Sequence, residues 1–155
     1  MIEASSRKML RYVLDTNILL YAIDGSDAYR QARAQEILRR VGQIPSAAIP
    51  VQALSEFSSV ALRKFEPPVA PDELLRHVER YLLTFPVLPV TGPVVLEAIR
   101  GVRDHRFAFY DTQIWAVARL NQIPVVLSED FSPGRTVEGV TFLNPLDATF
   151  DLEKL

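Results

Sequence analysis

The chain contains no cysteine, so disulfides and thiolate metal sites are excluded and a reducing, intracellular setting is allowed. No apolar run approaches the ~18 residues that a spanning helix needs, which argues against a membrane protein. Neither sign of charge dominates. Seventeen Lys and Arg against 19 Asp and Glu leave a net charge of -2, too little positive field for broad, purely electrostatic nucleic-acid binding. Histidine is scarce, with two residues and no pair at ligand spacing, which speaks against an imidazole metal site. There is no repeat, low-complexity tract or domain linker. The opening "MIEASSRKMLRYVLD" has basic residues but not the apolar segment and cleavage site of a signal peptide, and Met9 is an alternative start. What remains is ordinary for a soluble, cytoplasmic protein: 48% hydrophobic and 23% charged over 155 residues. A single domain over 1–155, with its core over about 10–146, is the expectation.

Short apolar runs alternate with helical patterns. "YVL" at 12–14, the end of "QIPSAAIP", "FPVLPV" and "IPVVLSED" read as strands, and "GVTFLNP" as a final edge strand. Helices are predicted over 17–23 and from a Ser26 or Asp27 cap to Gly42, with Ala32, Ile37, Leu38 and Val41 facing inward. Others are expected over "VQALSEFSSVALRKF", from Asp72 to about Tyr81, from Thr91 to about Arg103, and over "FYDTQIWAVARLNQ". The last is apolar on nearly every side, so it should be buried. The tail "DATFDLEKL" is expected to be loosely held. Strands alternating with helices imply an α/β fold with a central parallel sheet covered on both faces. Ligands in such folds collect at the carboxyl ends of the strands.

Four acids stand at or near element ends: Asp15 after the first strand, Glu56 on the helix after the second, Asp111 at the start of the buried helix, and Asp130 after "VVL". In a parallel sheet all four can meet at one edge. Gathered carboxylates repel and bind protons unless a cation neutralises them. Oxygen ligands without Cys or paired His select a hard ion, Mg²⁺ or Mn²⁺. Taken singly, each acid has a plainer reading. Asp15 and Asn17 serve as helix caps, Asp111 as a cap or dipole partner, Glu56 as a solvated charge, and "SEDFSPG" as a turn. Arg100, Arg103, His105 and Arg106 read as complements to a helix C-terminus before they read as phosphate contacts. Trp115 is expected in the core and His77 at the surface.

In "VLDTNILLYA", "SEF", "FYDTQIWAVA" and "VLSEDF", in that order, the sequence resembles PIN domains, and among them VapC-type toxin ribonucleases of type II toxin–antitoxin systems. The likeness runs from about Tyr12 to Pro145. It implies a three-layer α/β/α fold and Mg²⁺- or Mn²⁺-dependent endoribonuclease activity. By the same resemblance Asp15 and Asp111 are direct metal ligands, Glu56 and Asp130 the further catalytic acids and ligands, and Asn17 and Ser128 orienting groups. Glu129 adds a carboxylate beside Asp130, and S-x-D alone selects between them. The family resemblance also implies an RNA substrate, a cognate antitoxin partner and a homodimer. The expected reaction is in-line attack of water on RNA phosphorus with departure of the 3′ oxygen, Glu56 or Asp130 handling the water. Two other readings compete: a non-cleaving RNA- or protein-binding module, and an aspartyl-nucleophile phosphatase. The phosphatase chemistry asks for D-x-D, where this chain has Asn17.

Overall fold

The computed structural model describes residues 10–155; Met9, the alternative start, lies outside them. Strand β1 (Tyr12–Leu14) is buried at every position and runs through Asp15 into helix α1 (Thr16–Ile23). Then follow α2 (Ala28–Gln43), β2 (Ala47–Pro50), α3 (Val51–Arg63), α4 (Pro71–Thr84) and β3 (Val87–Leu88). The rest comprises α5 (Gly92–His105), α6 (Phe109–Leu120), β4 (Val125–Leu127), β5 (Thr136–Val137), β6 (Val140–Leu143) and a 3-10 turn at Leu152–Lys154. The strands form one sheet in the order β3-β2-β1-β4-β6-β5. Every pairing is parallel except that of β5 with β6. The fold is the expected α/β/α sandwich.

Its layers follow from the two-residue period of a strand. Tyr12 and Leu14 of β1, with Ala47 and Ile49 of β2, join the core formed with α1, α2, α3 and α4. Val13, Ala48 and Val126 point the other way, onto α5 and α6. Because both faces are covered, the strands are apolar throughout, and polar side chains enter only where a strand stops. Three stops coincide. Leu14 pairs with Leu127 in register, so Asp15 and Ser128 emerge side by side. Strand β2 meanwhile ends at Pro50, which leads into α3.

The structure departs from the sequence expectations in three places. Helix α2 runs through Gly42 to Gln43. That glycine is a close-approach position, where a Cβ would come 3.1 Å from Thr84 Cγ2. The inner stripe of this helix is Ala34, Ile37 and Val41, with Leu38 partly buried against the same core and Ala32 exposed. Secondly, "GVTFLNP" supplies an interior strand, and the edge belongs to the two-residue β5, which pairs antiparallel with β6 through a turn at Glu138 and Gly139. Both turn residues have positive φ, 48° and 83°, the requirement of a tight hairpin turn. Glutamate at such a position is a weak signal, so the hairpin was illegible. Thirdly, the tail is docked. Arg33 donates to the carbonyls of Pro145, Asp147 and Phe150, and Leu152 and Leu155 pack on the core.

Candidate active site

Asp15 is the N-cap of α1. Its Oδ1 accepts the Thr16 N–H at 2.7 Å and its Oδ2 accepts the Ser128 hydroxyl at 2.7 Å. Capping and membership of a polar site are therefore one arrangement here. The side chain is almost fully buried, and burial pushes its pKa up to about 6. The negative charges of Asp130 and Asp111 push the same way, against the two hydrogen bonds.

Asp111 lies in the first turn of α6. Its pKa is raised by burial first, then by the charges of Asp130 and Glu56. The helix that carries it packs hard on α5. A Cβ on Gly101 would meet Thr112 Cγ2 at 2.2 Å and Trp115 Cζ3 at 2.8 Å, so only glycine allows this approach. Trp115 is fully buried and donates to the Val137 carbonyl.

The loop after β4 separates its two acids. Asp130 Oδ2 accepts from Asn17 Nδ2 at 3.1 Å, and the Asp130 N–H donates to Ser128 Oγ at 3.1 Å. Glu129 instead accepts from Tyr21 Oη at 3.0 Å and from Arg30 Nη1 at 2.9 Å. An arginine thus occupies Glu129, and Asp130 faces the Asn17 and Ser128 side.

Glu56, in the second turn of α3, takes one hydrogen bond on each oxygen: Thr16 Oγ1 donates to Oε2 and Gln52 Nε2 to Oε1, both at 2.9 Å. Gln52 Nε2 also donates to the Tyr110 carbonyl at 3.1 Å, and Gln52 Oε1 accepts from Gln113 Nε2 at 2.5 Å. Both glutamines are buried. Their bonds tie the turn bearing Glu56 to the turn bearing Asp111. Thr16, Gln52 and Gln113 escaped the sequence reading. The signal available was the four-residue spacing of Gln52 and Glu56, which puts both on one helix face.

The four acids thus share one edge of the sheet, and their hydrogen-bond donors are neutral: Ser, Thr, Asn, Gln and backbone. Among the described residues no Lys, Arg or His forms an ion pair with Asp15, Glu56, Asp111 or Asp130. Asn17 Oδ1 is buried without a hydrogen-bond partner, an arrangement that costs stability unless a ligand or water completes it. Also among the described residues, no three Asp, Glu or His side chains draw together tightly enough to chelate an ion directly. An all-oxygen donor set with uncompensated charge and open spacing fits a hard cation such as Mg²⁺, which keeps several waters and takes few carboxylates directly.

Comparisons with known proteins identify the fold. A family model described as the PIN domain matches residues 12–136. Among solved structures, a toxin–antitoxin complex from Klebsiella pneumoniae is similar with a TM-score of 0.65 at 18% identity, covering 86% of this chain and 97% of that one. The VapC20 toxin of Mycobacterium tuberculosis, described as cleaving the sarcin–ricin loop, has a TM-score of 0.64 at 20% identity and covers 82% and 97%. The DNA-bound VapBC of Salmonella typhimurium has a TM-score of 0.61 at 19% identity and covers 86% and 96%. No curated protein sequence matches the chain. Among the described residues, no helix is long and apolar enough to cross a membrane.

Proposed function

The chain belongs to the PIN-domain family, and from that premise we propose that it is a Mg²⁺- or Mn²⁺-dependent endoribonuclease, the toxin of a VapBC-type toxin–antitoxin pair. The observation that carries the reading is the acidic edge itself: Asp15, Glu56 and Asp130 held by neutral donors, Asp111 beside them on the turn that Gln52 and Gln113 tie to Glu56, and no basic side chain paired with any of the four among the described residues. Asp15 and Asp111 would hold the ion directly, with Glu56 and Asp130 as further ligands through water. The bound ion would activate water and offset the charge that builds on phosphorus.

The chain's own groups do the rest. Ser128 and the Thr16 N–H fix Asp15 in one rotamer. Asn17 orients Asp130 through Oδ2, which leaves Oδ1 to accept a proton from the attacking water. Glu56 already accepts on both oxygens, which suits it to orienting water more than to taking its proton. The 3′ oxygen departs and the product carries a 5′-phosphate. The same reading extends to a single domain over 1–155, a cognate antitoxin as protein partner, a homodimer and a cytoplasmic location. The toxin–antitoxin complexes among the structural neighbours support the partner, and exposed Leu75, Leu82 and Leu83 of α4 offer apolar surface for association.

Labelled RNA incubated with the protein in Mg²⁺ or in EDTA tests the proposal. Cleavage in Mg²⁺ alone, lost in Asp15→Asn and Asp111→Asn proteins that remain folded, is the expected result. Wild-type protein that leaves RNA intact, or variants that cut it as well as wild type, would overturn the assignment. Binding without cleavage would return the chain to the non-cutting alternative.

A further inference from the structure

Asp130 is the most exposed of the four acids, and among the described residues one side chain, Asn17, bonds its carboxylate. Its neighbours in the loop after β4 are held far more firmly. On one side the Ser128 N–H donates to the Leu143 carbonyl at 2.9 Å, and the Ser128 hydroxyl donates to Asp15. On the other, Phe131 is buried and stacks on Phe142 with ring centroids 4.0 Å apart. Glu129 is held in a closed triangle. Tyr21 Oη donates to its Oε1 at 3.0 Å and Arg30 Nη1 to its Oε2 at 2.9 Å. The same Nη1 donates to Tyr21 Oη at 2.6 Å, and the guanidinium lies 5.0 Å from the Tyr21 ring. Tyr21 comes from the last turn of α1 and Arg30 from the first turn of α2. The triangle therefore fastens the loop to the corner between these two helices.

We propose that Tyr21 and Arg30 are positioning residues for Asp130, acting through Glu129. The inference rests on the nuclease reading and deepens it: Glu129 is the anchor of the loop, and Asp130 is the acid that the loop presents. A lone half-exposed ion pair would contribute little, and the Arg30 and Glu129 side chains are 43% and 24% exposed. Here, however, the carboxylate takes a donor on each oxygen and the two donors bond one another, which fixes its orientation and strengthens each bond. With residues 128, 129 and 131 all pinned, Asp130 emerges in one place before any ion arrives. Partners just outside a metal site act in this way, by ordering the groups that meet the ion. The competing role for Glu129 is a reserve ligand that Arg30 holds away from the ion. The two roles differ in sign. Removing Arg30 would free a carboxylate and delete a nearby positive charge, both of which tighten cation binding, whereas loss of positioning weakens it.

Calorimetric titration of the full chain with Mn²⁺, beside RNA cleavage at saturating Mn²⁺, tests the proposal. Arg30→Ala should weaken Mn²⁺ binding about tenfold and lower kcat about as much, with KM for RNA unchanged. Tyr21→Phe deletes a single hydroxyl and should shift both quantities a few-fold in the same direction, which keeps the test open if Arg30→Ala melts early. Arg30→Lys should recover most of the loss, since both bonds come from one nitrogen and an ammonium carries three donors. In an Asp130→Asn background, Arg30→Ala should have no further effect on Mn²⁺ affinity, because the position it sets no longer carries a charge. Tighter Mn²⁺ binding by Arg30→Ala makes Glu129 a reserve ligand and overturns the proposal. So does a tenfold loss that persists beside Asp130→Asn, and so does wild-type behaviour of both Arg30→Ala and Tyr21→Phe. Wild-type protein that binds Mn²⁺ but leaves RNA intact removes the nuclease reading, while the Mn²⁺ affinities still decide the positioning role.

Discussion

Two acidic clusters lie on this molecule, and their acids are treated in opposite ways. On the outer side of α5 and α6, Glu97, Asp104 and Glu138 are met by cations. Arg100 pairs with all three, Arg119 with Glu97 and Glu138, and His105 with Glu138 at 2.7 Å. The guanidiniums of Arg100 and Arg119 lie 5.7 and 6.0 Å from the Trp115 ring. At the sheet edge, Asp15, Glu56 and Asp130 receive only neutral donors, and Asp111 is paired with no basic side chain among the described residues. The consequences diverge accordingly. His105 and then Arg100 hold the Glu138 carboxyl below its usual range, and Arg103 and then Arg100 do so for Asp104. Burial and like charge raise Asp15 and Asp111. The first cluster balances its own charge and ties α5, α6 and the β5–β6 hairpin together, although Arg119 Nε is buried without a partner. The second has no basic side chain paired with it among the described residues.

The contrast breaks first at the chemistry. Asp111→Asn should cut Mg²⁺-dependent RNA cleavage by about a hundredfold or more, since charge stabilisation by the ion is worth several kcal/mol. Glu138→Gln should leave that rate unchanged, as a gel assay on both proteins would read. The next largest effect is on pH-dependent stability. The folded pKa of Asp15 is about 6 against an ordinary 3.8, so the native state holds this proton more tightly than the unfolded chain. Its contribution is intact at low pH and lost as pH rises through about 4 to 6, by about 3 kcal/mol. In EDTA, wild type should therefore fall behind Asp15→Asn by about that much between pH 4 and pH 7 in denaturant titrations, and Mn²⁺ should restore wild type alone. Equal pH dependence in the two proteins would refute the uncompensated burial.

Gln52→Leu comes third. It strips Glu56, the Tyr110 carbonyl and Gln113 of their shared partner and should cost about 1–3 kcal/mol. It should also weaken Mn²⁺ binding by calorimetry, which a purely structural loss would leave alone. Glu138→Gln should have the smallest effect, about 1 kcal/mol or less at pH 7 because the cluster is partly solvated. Its pH sign is the reverse of Asp15: a carboxyl held below its usual range stabilises above that range and loses its effect as pH falls. Thermal melts of the variant and wild type should converge at low pH.

The strands and their order of appearance were legible because a sheet buried on both faces must be apolar along its whole length. Asp15 and Ser128 stood out for the same reason, as polar residues where apolar runs stop. Glu56 could be marked as a candidate, but nothing in the order of residues linked it to Thr16, forty positions away, or to Gln113 by way of Gln52. Those partners lie on three separate helices. Glu129 and Asp130 are adjacent in sequence and chemically alike. What distinguishes them is Arg30 and Tyr21, which reach one of them only after α1 and α2 have packed. The tail looked loose because its anchors sit more than a hundred residues earlier: Arg33, and Arg40, which donates to the Leu152 carbonyl and pairs with Glu153.

By itself the sequence determined the alternation of buried strands and amphipathic helices, and hence the edge at which polar groups must emerge, because periodicity and burial act along the chain. Tertiary structure alone decided which carboxylates would be neutralised by arginine and which left to one another. Electrostatic and hydrogen-bonding energies depend on separation in space, and that separation exists only after the layers have closed.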